Sequence, residues 1–137
     1  MAGNLDEGNT IRVVLVEDSS VLTERLREML AQLIGVELVG TVDNEKAAVA
    51  MASTGDIDAL ILDLHLKQGT GFGVLRALRN SPHKPEAIVL TNYALPQYQR
   101  EAQALGVRHF LDKAREFHRL PELLRDIADA KRHNSAH

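Results

Sequence analysis

The sequence predicts an α/β fold in which one parallel sheet of five strands is wound on both faces by helices. Three observations predict it. Short apolar runs rich in β-branched residues recur along the chain, "IRVVLV" at 11–16, "ALIL" at 59–62 and "AIVL" at 87–90. Each run is continuous rather than alternating, as expected of a strand buried on both faces. Between them lie segments with apolar residues at three- and four-residue steps, and strands alternating with helices call for a parallel sheet whose crossovers cover its faces.

The first strand, 11–16, stops at the acidic pair Glu17 and Asp18. Ser19 and Ser20 are both suited to cap the next helix, whose stripe of Leu22, Leu26, Met29, Leu30 and Leu33 runs until Gly35 offers a stop. "VELVG" at 36–40 alternates more and reads as an edge strand. Asn44 caps a short alanine-rich helix to about Met51. The third strand, 59–62, delivers Asp63, and Val74, Leu75 and Leu78 mark a helix that ends before Pro82. The fourth, 87–90, leads into Thr91 and Asn92. Pro96 suits a first helical position, with Ala102 and Leu105 inward and Gly106 closing. "VRHFL" at 107–111 is the other edge strand and meets Asp112 and Lys113. Pro121 opens the last helix, with the stripe Leu120, Leu123, Leu124, Ile127 and Ala128. Residues 1–10 and 132–137 read as flexible tails, which leaves one domain over 11–131.

The totals narrow the function classes. A chain of 137 residues has room for one well-cored domain and not for two. With 16 basic against 19 acidic residues the net charge is -3, so no global positive field draws the protein to nucleic acid or an anionic membrane. The absence of cysteine excludes disulfides, thiol catalysis and thiolate metal sites, and suits a reducing compartment such as the cytoplasm. No apolar run approaches the roughly 18 residues of a membrane span, and the N-terminus lacks the basic and apolar regions of a secretory signal.

In an open parallel sheet all strands point one way, so residues that follow strands gather along one rim, where this fold class binds ligands. Those positions read Glu17 and Asp18, then Asp63, then Thr91 and Asn92, then Asp112 and Lys113. With strand order 2-1-3-4-5, strands one and three adjoin at the point where the winding reverses, and Asp63 sits at its centre. Packed carboxylates repel, so a positive partner belongs among them. Oxygen-only ligands on a shallow, watered rim favour Mg²⁺ over Ca²⁺. Lys113 adds an ammonium suited to a phosphate oxygen, and Thr91 a hydroxyl. A nucleophilic carboxylate, a divalent ion, a lysine and a hydroxyl are what phosphoryl transfer needs. Each residue taken alone is equally well a polar group where a buried strand meets water.

The arrangement resembles the receiver domain of bacterial two-component response regulators, with its flavodoxin-like (βα)5 fold, over about Ile11 to Lys131. The likeness rests on "VVLVED", on "LILDLHLKQGTG" with a glycine eight residues after its acid, on "IVLTN" and on "GVRHFLDK". It implies that Asp63 is the phosphoacceptor and that Glu17, Asp18, Asp63 and the backbone carbonyl of His65 hold Mg²⁺. Lys113 would bind the phosphoryl group, Thr91 would bond to it once formed, and Phe110 would follow as the aromatic switch. The implied partners are a sensor histidine kinase or a histidine phosphotransfer protein, a downstream target, and a second copy through the face of helix four, strand five and helix five. The domain would not be an enzyme beyond its own aspartyl phosphorylation and dephosphorylation.

Several features depart from the pattern. Lys67 stands where many receivers have proline, freeing the loop and adding a cation. His65 and Tyr93 occupy positions that modulate water's access to the acyl phosphate. The six histidines show no helical metal spacing. Tyr98, Arg100, Arg108, Arg115 and Arg119 give one side a mixed aromatic and basic character that suits either docking or solvation. Alternative readings are a phosphorelay intermediate and a receiver belonging to a longer DNA-binding regulator. An aspartyl phosphatase would want a second aspartate where His65 stands, and a degenerate receiver would lack part of the acidic set.

Overall fold

The computed structural model describes residues 10–135. The expected tail at 1–10 lies outside the described residues except for Thr10, as do positions 136–137 of the second tail. Five strands, β1 (Ile11–Val16), β2 (Val36–Val42), β3 (Ala59–Leu62), β4 (Glu86–Thr91) and β5 (His109–Asp112), form one parallel sheet in the order β2-β1-β3-β4-β5. The connecting helices are α1 (Ser20–Ala31), α2 (Glu45–Ala52), α3 (Gly71–Leu78), α4 (Pro96–Ala104) and α5 (Leu120–Ser135).

Alternate residues of each strand supply opposite faces. Val14, Val16, Leu60, Leu62 and Val89 pack with Ala48 and Ala52 of α2, Val74, Leu75 and Leu78 of α3 and Ala102 of α4. Ile11, Val13, Leu15, Ile61, Ile88, Leu90 and Leu111 pack with Leu26 and Leu30 of α1 and Leu120, Leu124 and Ala128 of α5. Three helices therefore cover one face and two the other, as the predicted order demands. The β3 strand is buried along its length, whereas β2 at the edge is half-buried nearly throughout.

Capping follows the polar residues that precede the helices. Ser19, Asn44 and Thr70 accept hydrogen bonds from the amides of Leu22, Ala47 and Gly73 at 3.2, 2.9 and 2.9 Å. The α4 helix starts without a side-chain cap, on Leu95 with Pro96 at its first turn.

The last helix runs through Ser135, and Lys131 within it donates to the Thr10 carbonyl at 3.0 Å. Two expectations need correction. β5 begins at His109 rather than Val107, since the Val107 amide is taken by the Ala102 carbonyl in the turn closing α4. Directly after β5 the chain makes a helical turn (Lys113–Glu116) and a 3-10 turn (Phe117–Arg119), where no element was foreseen.

Candidate functional site

Register builds the site. β1 and β3 pair with Val16 beside Leu62, and the Asp63 amide donates to the Val16 carbonyl at 3.1 Å. The next residues of the two strands, Glu17 and Asp63, therefore leave the sheet side by side. Both are buried, at 5% and 7% exposure. Asp18 follows, and one carboxylate oxygen from each of Glu17, Asp18 and Asp63 lies within 4.8 Å of the other two. Two further strands away, Thr91 pairs with Asp112, so Lys113 emerges at the same rim.

Lys113 Nζ donates to Asp63 Oδ2 at 2.8 Å and lies 2.7 Å from Glu17 Oε1. Burial pulls this ammonium down most strongly, but hydrogen bonds and charge from Asp63 and Glu17 together outweigh it, and the net direction is upward. Lys113 thus remains charged at neutral pH. The second oxygens of both carboxylates are also engaged. Glu17 Oε2 accepts from the Ser19 amide at 3.0 Å and Asp63 Oδ1 from the His65 amide at 3.2 Å.

The loop after Asp63 folds back on itself. The Gly71 amide donates to the Leu64 carbonyl at 3.0 Å, and His65 bridges Thr70 in antiparallel fashion. A Cβ at Gly71 would overlap the Asp63 carbonyl, so only glycine permits this approach. The His65 ring lies against Tyr93 with centroids 4.4 Å apart and against Tyr98 at 5.9 Å, which links this loop to β4–α4. Thr91 is fully buried, and its hydroxyl oxygen accepts from the Tyr93 amide at 3.1 Å.

Glu17, Asp18, Asp63 and Lys113 are thus brought together. Phe110 lies apart, half-buried among the apolar residues on the α2–α3–α4 face and lining a groove with Gln99, Gln103 and Leu123. Asp112 is not in the acidic group, for its Oδ1 accepts from the Ala114 and Arg115 amides and caps the new helical turn. Asn92 and Lys67 are exposed. Of the basic residues suggested for docking, Arg108 pairs with Glu86 and Arg119 with Glu116, while Arg100 and Arg115 are solvated. Sequence reasoning overlooked Glu45, whose carboxylate accepts from the Thr70 amide at 2.9 Å. An acid just after the N-cap Asn44 would have drawn notice only as a helix-dipole partner.

Together the sheet order and this rim define a doubly wound α/β domain with an acidic, oxygen-only site at its topological switch point. Residues 13–125 match the response regulator receiver domain. The chain belongs to that family, a signalling domain of two-component response regulators. It is 28% identical over 116 residues to the transcriptional regulatory protein DcuR of Shigella flexneri, covering 83% of this chain and 48% of that protein. It is 30% identical over 87 residues to the nitrate/nitrite response regulator protein NarP of Escherichia coli (strain K12), covering 64% and 40%. The chain therefore spans about half or less of the length of these curated relatives. Among solved structures, the response regulatory domain of protein mrkE from Klebsiella pneumoniae superposes with a TM-score of 0.78 at 21% identity, over 90% of this chain and 99% of that one. At that identity the likeness speaks for the fold alone. No helix among the described residues is long and apolar enough to cross a membrane.

Proposed function

We propose that Asp63 accepts a phosphoryl group from a phosphohistidine on a partner histidine kinase, in a reaction that requires Mg²⁺, and that the modification reshapes the surface of α4, β5 and α5. The observation that carries this is the charge count at the rim. Two carboxylates, Glu17 and Asp63, share one ammonium and a third, Asp18, lies within 4.8 Å of both, leaving an excess of negative charge made only of oxygen ligands. That donor set fits a hard divalent cation. Glu17, Asp18, Asp63 and the His65 carbonyl would hold it, and when bound it would polarise the phosphoryl oxygens.

A carboxylate oxygen of Asp63 attacks phosphorus as the P–N bond to the donor histidine breaks. The leaving imidazole retains the bonding electron pair and takes up a proton, and Asp63 becomes an acyl phosphate. Lys113 turns from its carboxylates toward the phosphoryl oxygens, where its charge offsets the negative charge gathered there. The Thr91 hydroxyl already uses its oxygen as acceptor from Tyr93, so its proton is available to donate to the phosphoryl group. As Thr91 moves, Phe110 shifts from its half-buried position, and packing alone holds it because it has no hydroxyl.

Intact mass after treatment with a small phosphodonor and Mg²⁺ tests this, beside Asp63→Asn and a metal-free sample. The expected result is one phosphoryl adduct on the wild type with Mg²⁺ only. An adduct in all three samples, or in none, rejects the reading. A second reading, a receiver serving a longer DNA-binding regulator, is favoured by the relatives' names, since DcuR is called a transcriptional regulatory protein. It shares the chemistry and differs in the target of the α4–β5–α5 face.

A further inference from the structure

We propose that Glu45, the first residue of α2, is a positioning residue for the loop that leaves Asp63, holding His65 in place for Mg²⁺. The proposal rests on the reading of the metal site above. Four contacts tie this loop to α2. The Thr70 amide donates to Glu45 Oε1 at 2.9 Å, and the Glu45 amide donates to the Gln68 carbonyl at 3.1 Å. Asn44, the α2 N-cap, forms a parallel bridge with Gln68. The Glu45 side chain also packs closely against Gly69 and Gly73, where a Cβ would overlap it. Those two glycines leave room for one acid.

The anchor reaches the site through the loop's own pairing. Thr70 bridges His65, and the Gly71 amide binds the Leu64 carbonyl, so a shift of the Thr70 arm moves the strand opposite it. His65 is in turn tied to Asp63 through its amide. Glu45 is half-buried and belongs to a helix packed into the core, whereas Lys67, Gln68, Gly69 and Thr70 are exposed and Gly69 has φ +82°. Without Glu45, solvent replaces the tie at Thr70. Its negative charge at the start of α3 also suits that helix's dipole, but the acceptor oxygen is what fixes the loop. A glutamine keeps that oxygen and loses the charge.

The test uses the full chain, ¹⁵N-labelled, as wild type, Glu45→Gln and Glu45→Ala, with amide exchange at Thr70 and Gly71 and Mg²⁺ titration followed by amide shifts. Glu45→Ala should speed Thr70 exchange about tenfold, the loss of one hydrogen bond, and raise the apparent Mg²⁺ Kd about fivefold. Glu45→Gln should stay within about twofold of wild type on both readouts. Loss of global stability in Glu45→Ala with Mg²⁺ affinity unchanged, or failure of glutamine to restore it, overturns the positioning role. If the wild type shows no Mg²⁺ response, the metal reading fails and the role toward Mg²⁺ falls with it; Thr70 exchange then reports separately whether Glu45 anchors the loop.

Discussion

The two ends of the sheet each carry a lysine bonded to an aspartate, and they behave oppositely. At the far rim Lys131 Nζ donates to Asp58 Oδ2 at 3.1 Å and to the Thr10 carbonyl at 3.0 Å, while the same Asp58 oxygen accepts from the Arg12 amide at 2.8 Å. One cation meets one anion there, and the remaining bonds go to backbone. Nearby, Glu86 is matched by Arg108 and lies 3.8 Å from His109. At the Asp63 rim the lysine side chain is only 9% exposed, against 34% for Lys131, and it serves two carboxylates with a third beside them. A balanced cluster stitches the chain together, whereas the unbalanced one has the excess of negative charge on which the proposed metal site rests. The difference is one of charge count, not of residue type.

The sharpest way to break the comparison is to remove each lysine. Lys113→Met should cost about 3 kcal/mol in urea unfolding with chelator present, because buried carboxylates lose their counter-charge, and added Mg²⁺ should return much of it. Lys131→Met should cost about 1 kcal/mol, with no response to Mg²⁺. Equal losses, or Mg²⁺ rescue of both, would show that the two rims do not differ in kind.

Removing an acid from each end sharpens the same contrast. Asp18→Asn should weaken Mg²⁺ binding about tenfold, yet raise the melting temperature of the metal-free protein slightly by relieving repulsion. Asp58→Asn should lower the melting temperature and leave Mg²⁺ binding within about twofold. A destabilised Asp18→Asn protein in chelator would contradict the excess of charge.

The smallest expected effect is in alkali. Lys113 is raised above its ordinary value of 10.5 by Asp63 and Glu17 in spite of burial. A group raised on folding contributes its full stabilisation below its unfolded value and loses it as pH climbs through the folded one. Metal-free stability should therefore show no loss from Lys113 between pH 7 and about 10, and a decline only above that. Comparison with Lys113→Met in the same titration isolates the effect, and a decline already under way near pH 8 would count against it.

The acids were legible because each stands where an apolar run ends. Glu17, Asp63 and Lys113 could be placed on one rim from strand polarity alone, and Thr91 with them. Asp112 occupies the same kind of position and does something else, since nothing local says whether a carboxylate turns to its neighbours across the sheet or to the amides of the next turn. Glu45 was illegible for the complementary reason. It precedes no strand end, and its role depends on Gly69, Thr70 and Gly73 closing against it from 24 to 28 positions away.

From its own order of residues the chain determined where strands and helices lie, which faces they bury and which polar groups mark the strand ends, because those are short-range patterns of hydrophobicity and capping. Tertiary structure alone decided which of the polar groups on that rim touch one another. Lys113 and Asp63 stand 50 residues apart, and their 2.8 Å bond exists only once parallel pairing has set the register of β3, β4 and β5. Charge balance is a property of that shared space, so it is fixed only when the sheet has assembled.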